Sequence, residues 1–172
     1  MSFVITKKTH ILCLVIACVI VVLQMDTVIK INADIIELFQ SYVVLNYYLM
    51  LLIIATINTL IHELLHGLAY KIFGGKFRIG FKGIFAYTKE TTGIRLTVIE
   101  FTIVLLAPVT LISVISLFIP IVGGLIFYIN LLGSTGDLLM AFWLIRADKN
   151  SLILDTDKGF DVIKNIVVLN KV

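Results

Sequence analysis

Four long apolar stretches constrain this chain more than any other feature. They run over residues 10–25, 42–73, 96–118 and 121–145 of 172. Crossing the hydrocarbon core of a bilayer takes about 20 residues of helix. Hydrophobic residues make up 60% of the chain and charged residues 15%, where soluble domains average about 45–50% and about 25%. A chain this short buries only about two-thirds of its unfolded surface, so it cannot hide that much apolar side chain in a water-soluble core. A soluble enzyme, a nucleic-acid binder and a disordered segment are therefore excluded. The expectation is an all-α membrane protein with about four transmembrane helices, residues 1–172 forming one domain embedded in the lipid bilayer.

Charge placement orients the spans. Lys7 and Lys8 precede the first stretch, and Lys76, Arg78, Lys82, Lys89 and Arg95 lie between the second and third. Arg146, Lys149, Lys158, Lys164 and Lys171 follow the fourth, whereas residues 26–41 carry Lys30 against Asp26, Asp34 and Glu37. Basic loops stay cytoplasmic. This predicts a multi-pass protein of the cell membrane with both termini inside and 147–172 as a cytoplasmic tail. The first stretch imitates a signal peptide, but no small-residue cleavage site follows it, so it reads as an uncleaved anchor. Cys13 and Cys18 share that run and are too close along one helix to bridge. Val28, Ile31, Ile35, Leu38 and Phe39 have the spacing of a short surface helix. Phe77, Ile79 and Phe81 alternate with Arg78, Gly80 and Lys82, and Gly83 offers a turn, which predicts a small β-hairpin-like cytoplasmic loop. Such an edge can receive an extended peptide by strand addition or rest on anionic lipid. In the tail, Asp155-Thr156-Asp157-Lys158-Gly159 opens like a calcium loop, but Ile166 occupies the position that needs Glu. A turn between two apolar runs is the expectation there.

The chemistry is concentrated in the second stretch, at His62-Glu63-Leu64-Leu65-His66. Residues four apart share one helix face, so His62 and His66 can offer ring nitrogens to one metal ion. Glu63, rotated by about 100°, borders the same site as a candidate general base. Zinc favours such nitrogen ligands and, in catalytic sites, keeps one position open. With three His and four Glu in the chain, the pattern arises by chance on the order of once in a thousand. Three ionisable groups in five positions of a membrane helix are costly and point to function.

A third ligand is needed, and His10, Glu100 and Asp137 are the candidates. His62 and His66 precede Lys71 by nine and five residues, and Asp137 precedes Arg146 by nine. At 1.5 Å per residue these groups lie roughly 8–14 Å below the cytoplasmic surface. Glu100 lies at about 7 Å, where its carboxylate can snorkel to water. Asp137, deeper and preceded by Gly133 and Gly136, is favoured, with Glu100 the alternative. Asn58, one turn before His62, can orient a ligand or pack between helices.

The segment His62-Glu63-Leu64-Leu65-His66-Gly67, with Leu106-Ala107-Pro108 and Asn130 through Gly136-Asp137, resembles the putative zincin peptidases, a family of small bacterial membrane proteins. More distantly it is similar to the site-2 proteases, which act within the membrane. The resemblance covers about residues 45–165. It implies Asp137 as third zinc ligand and Asn130 as a substrate-positioning or supporting residue. The chain departs from the site-2 pattern in having no proline between Asn130 and Asp137, and Leu138 where a glycine is expected.

These readings converge on a zinc metalloprotease that hydrolyses peptide bonds of membrane-associated substrates near the cytoplasmic face. Its substrate would be a peptide or transmembrane protein. The alternative is a non-catalytic zinc-binding scaffold, sensor or immunity-type protein. Glu63 favours the enzyme, because a purely structural site has no need of it.

Overall fold

The computed structural model describes residues 2–38, 44–83, 85–156 and 158–163. In chain order these form β1 (Ser2–Val4), α1 (Lys7–Leu23), α2 (Met25–Leu38), α3 (Val44–Ile72), β2 (Phe77–Lys82) and β3 (Phe85–Glu90). There follow β4 (Arg95–Thr97), α4 (Val98–Ser116), α5 (Gly123–Gly133), α6 (Thr135–Leu144), β5 (Leu152–Thr156) and β6 (Gly159–Ile163).

The apolar stretches form helices, as their length and composition require. The Asn46–Ile72 segment of α3 and all of α4 are long and apolar enough to cross a membrane. The α1–α2 pair, bent by 75°, and the α5–α6 pair, bent by 53°, bring the number to as many as four if each pair is one span. α3 is inside out by the standards of a soluble helix. It exposes Leu49, Leu52, Ile53, Ile57, Leu60, Ile61, Leu64 and Leu68 and buries Asn58, His62, Glu63 and His66. That distribution suits an apolar surrounding, where the cost of exposure falls on polar groups.

The expectation of an all-α protein with one small hairpin-like loop is overturned. Among the described residues six helices accompany two antiparallel sheets, one of four strands in the order β1-β6-β5-β4 and one of two, β2-β3. The architecture is mixed α/β. The β2–β3 hairpin lies where the alternation predicted a strand and turn. The larger sheet was hidden because three to five residues are too few to carry a period-two signal. Its strands also come from three places remote in sequence. Arg95–Thr97, read as the edge of a span, pairs Leu96 with Ile153; residues 152–163, read as tail, form a hairpin whose Phe160 pairs with Phe3. Residues 164–172 of that tail, and 39–43, lie outside the described residues.

This sheet is the floor of the core. Phe160, fully buried, stacks on Phe3 with centroids 5.5 Å apart and meets Phe101 and Trp143 edge-on at 5.2 and 5.6 Å. Leu96 and Ile153 join Ala69 of α3, Val104 and Leu105 of α4 and Leu144 of α6 in the same cluster. The sheet thereby ties together the ends of the three helices that carry the site. Gly159 is required by the pairing. Its φ is 134°, and a Cβ there would stand 2.1 Å from the Phe3 carbonyl oxygen.

A second close approach seats the hairpin on α3. A Cβ at Gly67 would fall 2.3 Å from the Phe77 ring. Gly67→Ala is therefore expected to destabilise the protein by about 1–3 kcal/mol through overpacking. Thermal unfolding in detergent would show it as a lowered midpoint, and an unchanged midpoint would mean that Phe77 moves aside freely.

Candidate metal centre

Three side chains from two parts of the chain converge. His62 and His66 project from one face of α3, and Asp137 comes from the first turn of α6, just past the bend at Ser134. They are the one group among the described residues able to offer three metal-ligating atoms, all within 4.8 Å of one another. Nε2 of His62 lies 3.1 Å from Nε2 of His66, and Oδ2 of Asp137 lies 3.1 and 3.5 Å from these nitrogens.

The outer ring nitrogens decide what those atoms can bind. His66 Nδ1 is 2.8 Å from the Val104 carbonyl, which only accepts, so Nδ1 must carry the hydrogen. His62 Nδ1 is 3.0 Å from Oδ1 of Asn130, whose Nδ2 reaches toward the carbonyls of Pro108 and Val109 at 3.5 Å. That arrangement makes His62 Nδ1 a donor too. Both Nε2 atoms of the neutral rings then present bare lone pairs to each other and to a carboxylate. One proton relieves only one of these contacts, whereas a divalent cation satisfies all three. With zinc–ligand bonds of about 2.0–2.1 Å, the edges of a tetrahedron are about 3.3–3.4 Å, close to the distances found. The residues fit zinc, and the outer hydrogen bonds to a carbonyl and an amide are those that orient metal-ligating histidines. The side chains keep 11%, 10% and 14% of their surface accessible, which leaves an approach to the site.

The other candidates fall elsewhere. Glu63 is buried beside the pair but contributes no atom to the cluster. Asn130 is almost wholly buried and supports His62. Asn58 is buried one turn before His62, and no hydrogen bond joins it to the cluster. His10 is exposed on α1. Glu100 forms a capping box at the start of α4: its Oε2 accepts from the Thr97 amide and hydroxyl at 2.8 and 2.9 Å. The Thr97-x-x-Glu100 spacing is a recognisable signature of that role.

Sequence reasoning overlooked the residues that clamp α3. Thr88 on β3 donates its hydroxyl to the Glu63 carbonyl at 2.7 Å. Glu90, at the end of the same strand, is buried and accepts from the amides of Lys76, Thr92, Gly93 and Ile94 and from the Thr92 hydroxyl. Burial alone would raise its carboxyl, but the hydrogen bonds from Thr92, Lys76 and Gly93 outweigh it and hold the group below the usual carboxylate range. Asp155 on β5 accepts from the Glu90 amide at 3.1 Å and from the Tyr70 hydroxyl, while burial pushes its own carboxyl up. Tyr70 follows His66 by one turn, so these bonds fasten α3 to both sheets. No spacing rule marks these residues, because every partner is remote in sequence.

Comparison with known proteins agrees with the geometry. A family model described as putative zincin peptidase matches residues 55–152, from about two turns before His62 to the start of β5. No curated protein and no solved structure matches the chain. The matched segment contains both histidines, Glu63 and Asp137 and spans more than half of the chain, which therefore belongs to the putative zincin peptidase family.

Proposed function

We propose that this protein is a membrane-embedded zinc metalloprotease of the site-2 type, with His62, His66 and Asp137 as zinc ligands and Glu63 as general base and acid. The observation that carries this reading is the convergence of two imidazole nitrogens and a carboxylate oxygen beside a buried carboxylate on the same helix turn. Zinc held there would polarise a scissile carbonyl and make water acidic enough to attack near neutral pH. Glu63 takes a proton from the attacking water as its oxygen bonds to the carbonyl carbon. It returns that proton to the amide nitrogen as the C–N bond breaks. Val104 and Asn130 hold the imidazoles in place throughout. A helical substrate must unwind locally first, because its carbonyls are already hydrogen-bonded. The β2–β3 hairpin, bonded to α3 at Glu63, offers an edge on which an extended segment can lie. Zinc analysis and a cleavage assay on the detergent-solubilised protein test the reading. The expected result is one zinc per chain and hydrolysis of a single-span reporter that stops on chelation and returns with zinc. Full zinc occupancy without hydrolysis of any membrane peptide would favour the scaffold.

We also propose that the face bearing the larger sheet is cytoplasmic. A sheet cannot be divided across a bilayer, so β1, β4, β5 and β6 share one side; Arg95 opens β4, and Lys7, Lys8, Arg146 and Lys149 lie within a few residues of β1 and β5 in the chain. Positive charge belongs inside. Reporter fusions after residue 90 and after residue 163 should both read cytoplasmic. Opposite readings at the two points would show that the sheet does not form in the membrane.

A further inference from the structure

A proline stands one turn beyond Val104, the residue whose carbonyl bonds His66. In an unbroken α-helix the carbonyl of residue 104 accepts from the amide of residue 108. Position 108 is proline, almost fully buried inside α4, and it has no amide hydrogen to give. The Val104 carbonyl is thus left without its helical donor on a residue that is 1% exposed. Prolines in membrane helices are tolerated where a neighbouring helix satisfies the freed group. Here the donor is His66 Nδ1 at 2.8 Å. The same turn faces Asn130, whose Nδ2 points at the carbonyls of Pro108 and Val109 while its Oδ1 holds His62.

We infer that Pro108 is a positioning residue for the metal centre: by withholding an amide hydrogen it frees the Val104 carbonyl to fix His66 as the Nδ1–H tautomer, with Nε2 turned to the metal. The inference rests on the proposal that His66 is a zinc ligand. It gives the proline a chemical task beyond bending the helix. Restoring an amide at 108 lets the helix recapture the Val104 carbonyl, and His66 then loses both its orienting acceptor and its fixed tautomer. Losing such an outer partner costs about 10–100-fold in metal affinity.

Three variants separate the missing donor from the shape of the ring. Pro108→Ala supplies the hydrogen. The α-hydroxy analogue of alanine at position 108, introduced as a backbone ester, removes the ring but supplies no hydrogen. The α-hydroxy analogue of leucine at position 105 keeps Pro108 but turns the Val104 carbonyl into a weaker ester acceptor. Zinc affinity is read by chelator competition. The His66 tautomer is read by ¹⁵N NMR of histidine-labelled, metal-free protein, which has only three histidines to assign. Pro108→Ala should weaken zinc binding about 10–100-fold and shift His66 away from the Nδ1–H form. The ester at 108 should stay near wild type in both measures. The ester at 105 should weaken binding with the proline intact, which keeps the test valid if Pro108→Ala fails to fold. Equal loss in both position-108 variants would reduce Pro108 to ring shape and overturn the inference, as would wild-type behaviour of Pro108→Ala. A tautomer shift in Pro108→Ala in a wild-type background that takes up no zinc would uphold the anchor and overturn the zinc reading instead.

Discussion

Asp137→Asn is expected to weaken zinc binding by at least about 100-fold, beyond the loss typical of an outer-shell partner. In the proposed ligand set Asp137 is the one anionic member, and its Oδ2 stands 3.1 and 3.5 Å from the two imidazole Nε2 atoms. The carboxamide is neutral, and its NH₂ can hydrogen-bond to an Nε2 lone pair, occupying the atom the metal needs. Glu100→Gln provides the contrast. Its carboxylate caps α4 at Thr97, so the change should leave zinc affinity unaltered and cost no more than about 0.5–2 kcal/mol, the range for a lost helix cap. Chelator competition on the two variants reads the difference directly. Zinc lost in Glu100→Gln and kept in Asp137→Asn would mean that the ligand set includes α4.

Glu63→Gln should separate chemistry from binding. Glu63 contributes no atom to the ligand cluster, and Gln preserves its size and its place in the helix turn. Zinc stoichiometry should therefore stay at the wild-type value. Hydrolysis should fall by about 10²–10⁴-fold, the usual worth of a positioned general base. His62→Ala should lose metal and activity together. If Glu63→Gln released zinc as readily as His62→Ala, Glu63 would be a ligand and the division of roles within the motif would be wrong.

How much could be read in advance depended on how local each interaction is. His62, Glu63 and His66 were legible because four residues along a helix return to one face whatever surrounds it. Asp137 was legible through energy: a carboxylate deep in an apolar stretch needs a partner, and depth along the helices matched it to the histidines. Asn130 came from resemblance alone, and the structure places it on His62. The Glu100 cap is legible in the Thr97-x-x-Glu100 spacing, and that bond, rather than snorkelling to water, is where the structure places its carboxylate.

The four-stranded sheet was not legible, because Phe3, Leu96, Ile153 and Phe160 meet only when three remote segments fold together. Val104 was invisible for a different reason, since the group that matters is a backbone carbonyl freed by Pro108 on α4, the helix after the one that carries the histidine it holds. The sequence by itself determined that the chain carries stretches long and apolar enough to cross a membrane and that one helix face carries a paired-histidine motif. Both follow from composition and from the period of the helix. The tertiary structure alone decided which carboxylate joins the histidines, which nitrogen of each ring faces it, and which strands tie the helices together. Those depend on hydrogen bonds and packing between residues 38 to 159 positions apart, and no local pattern encodes such distances.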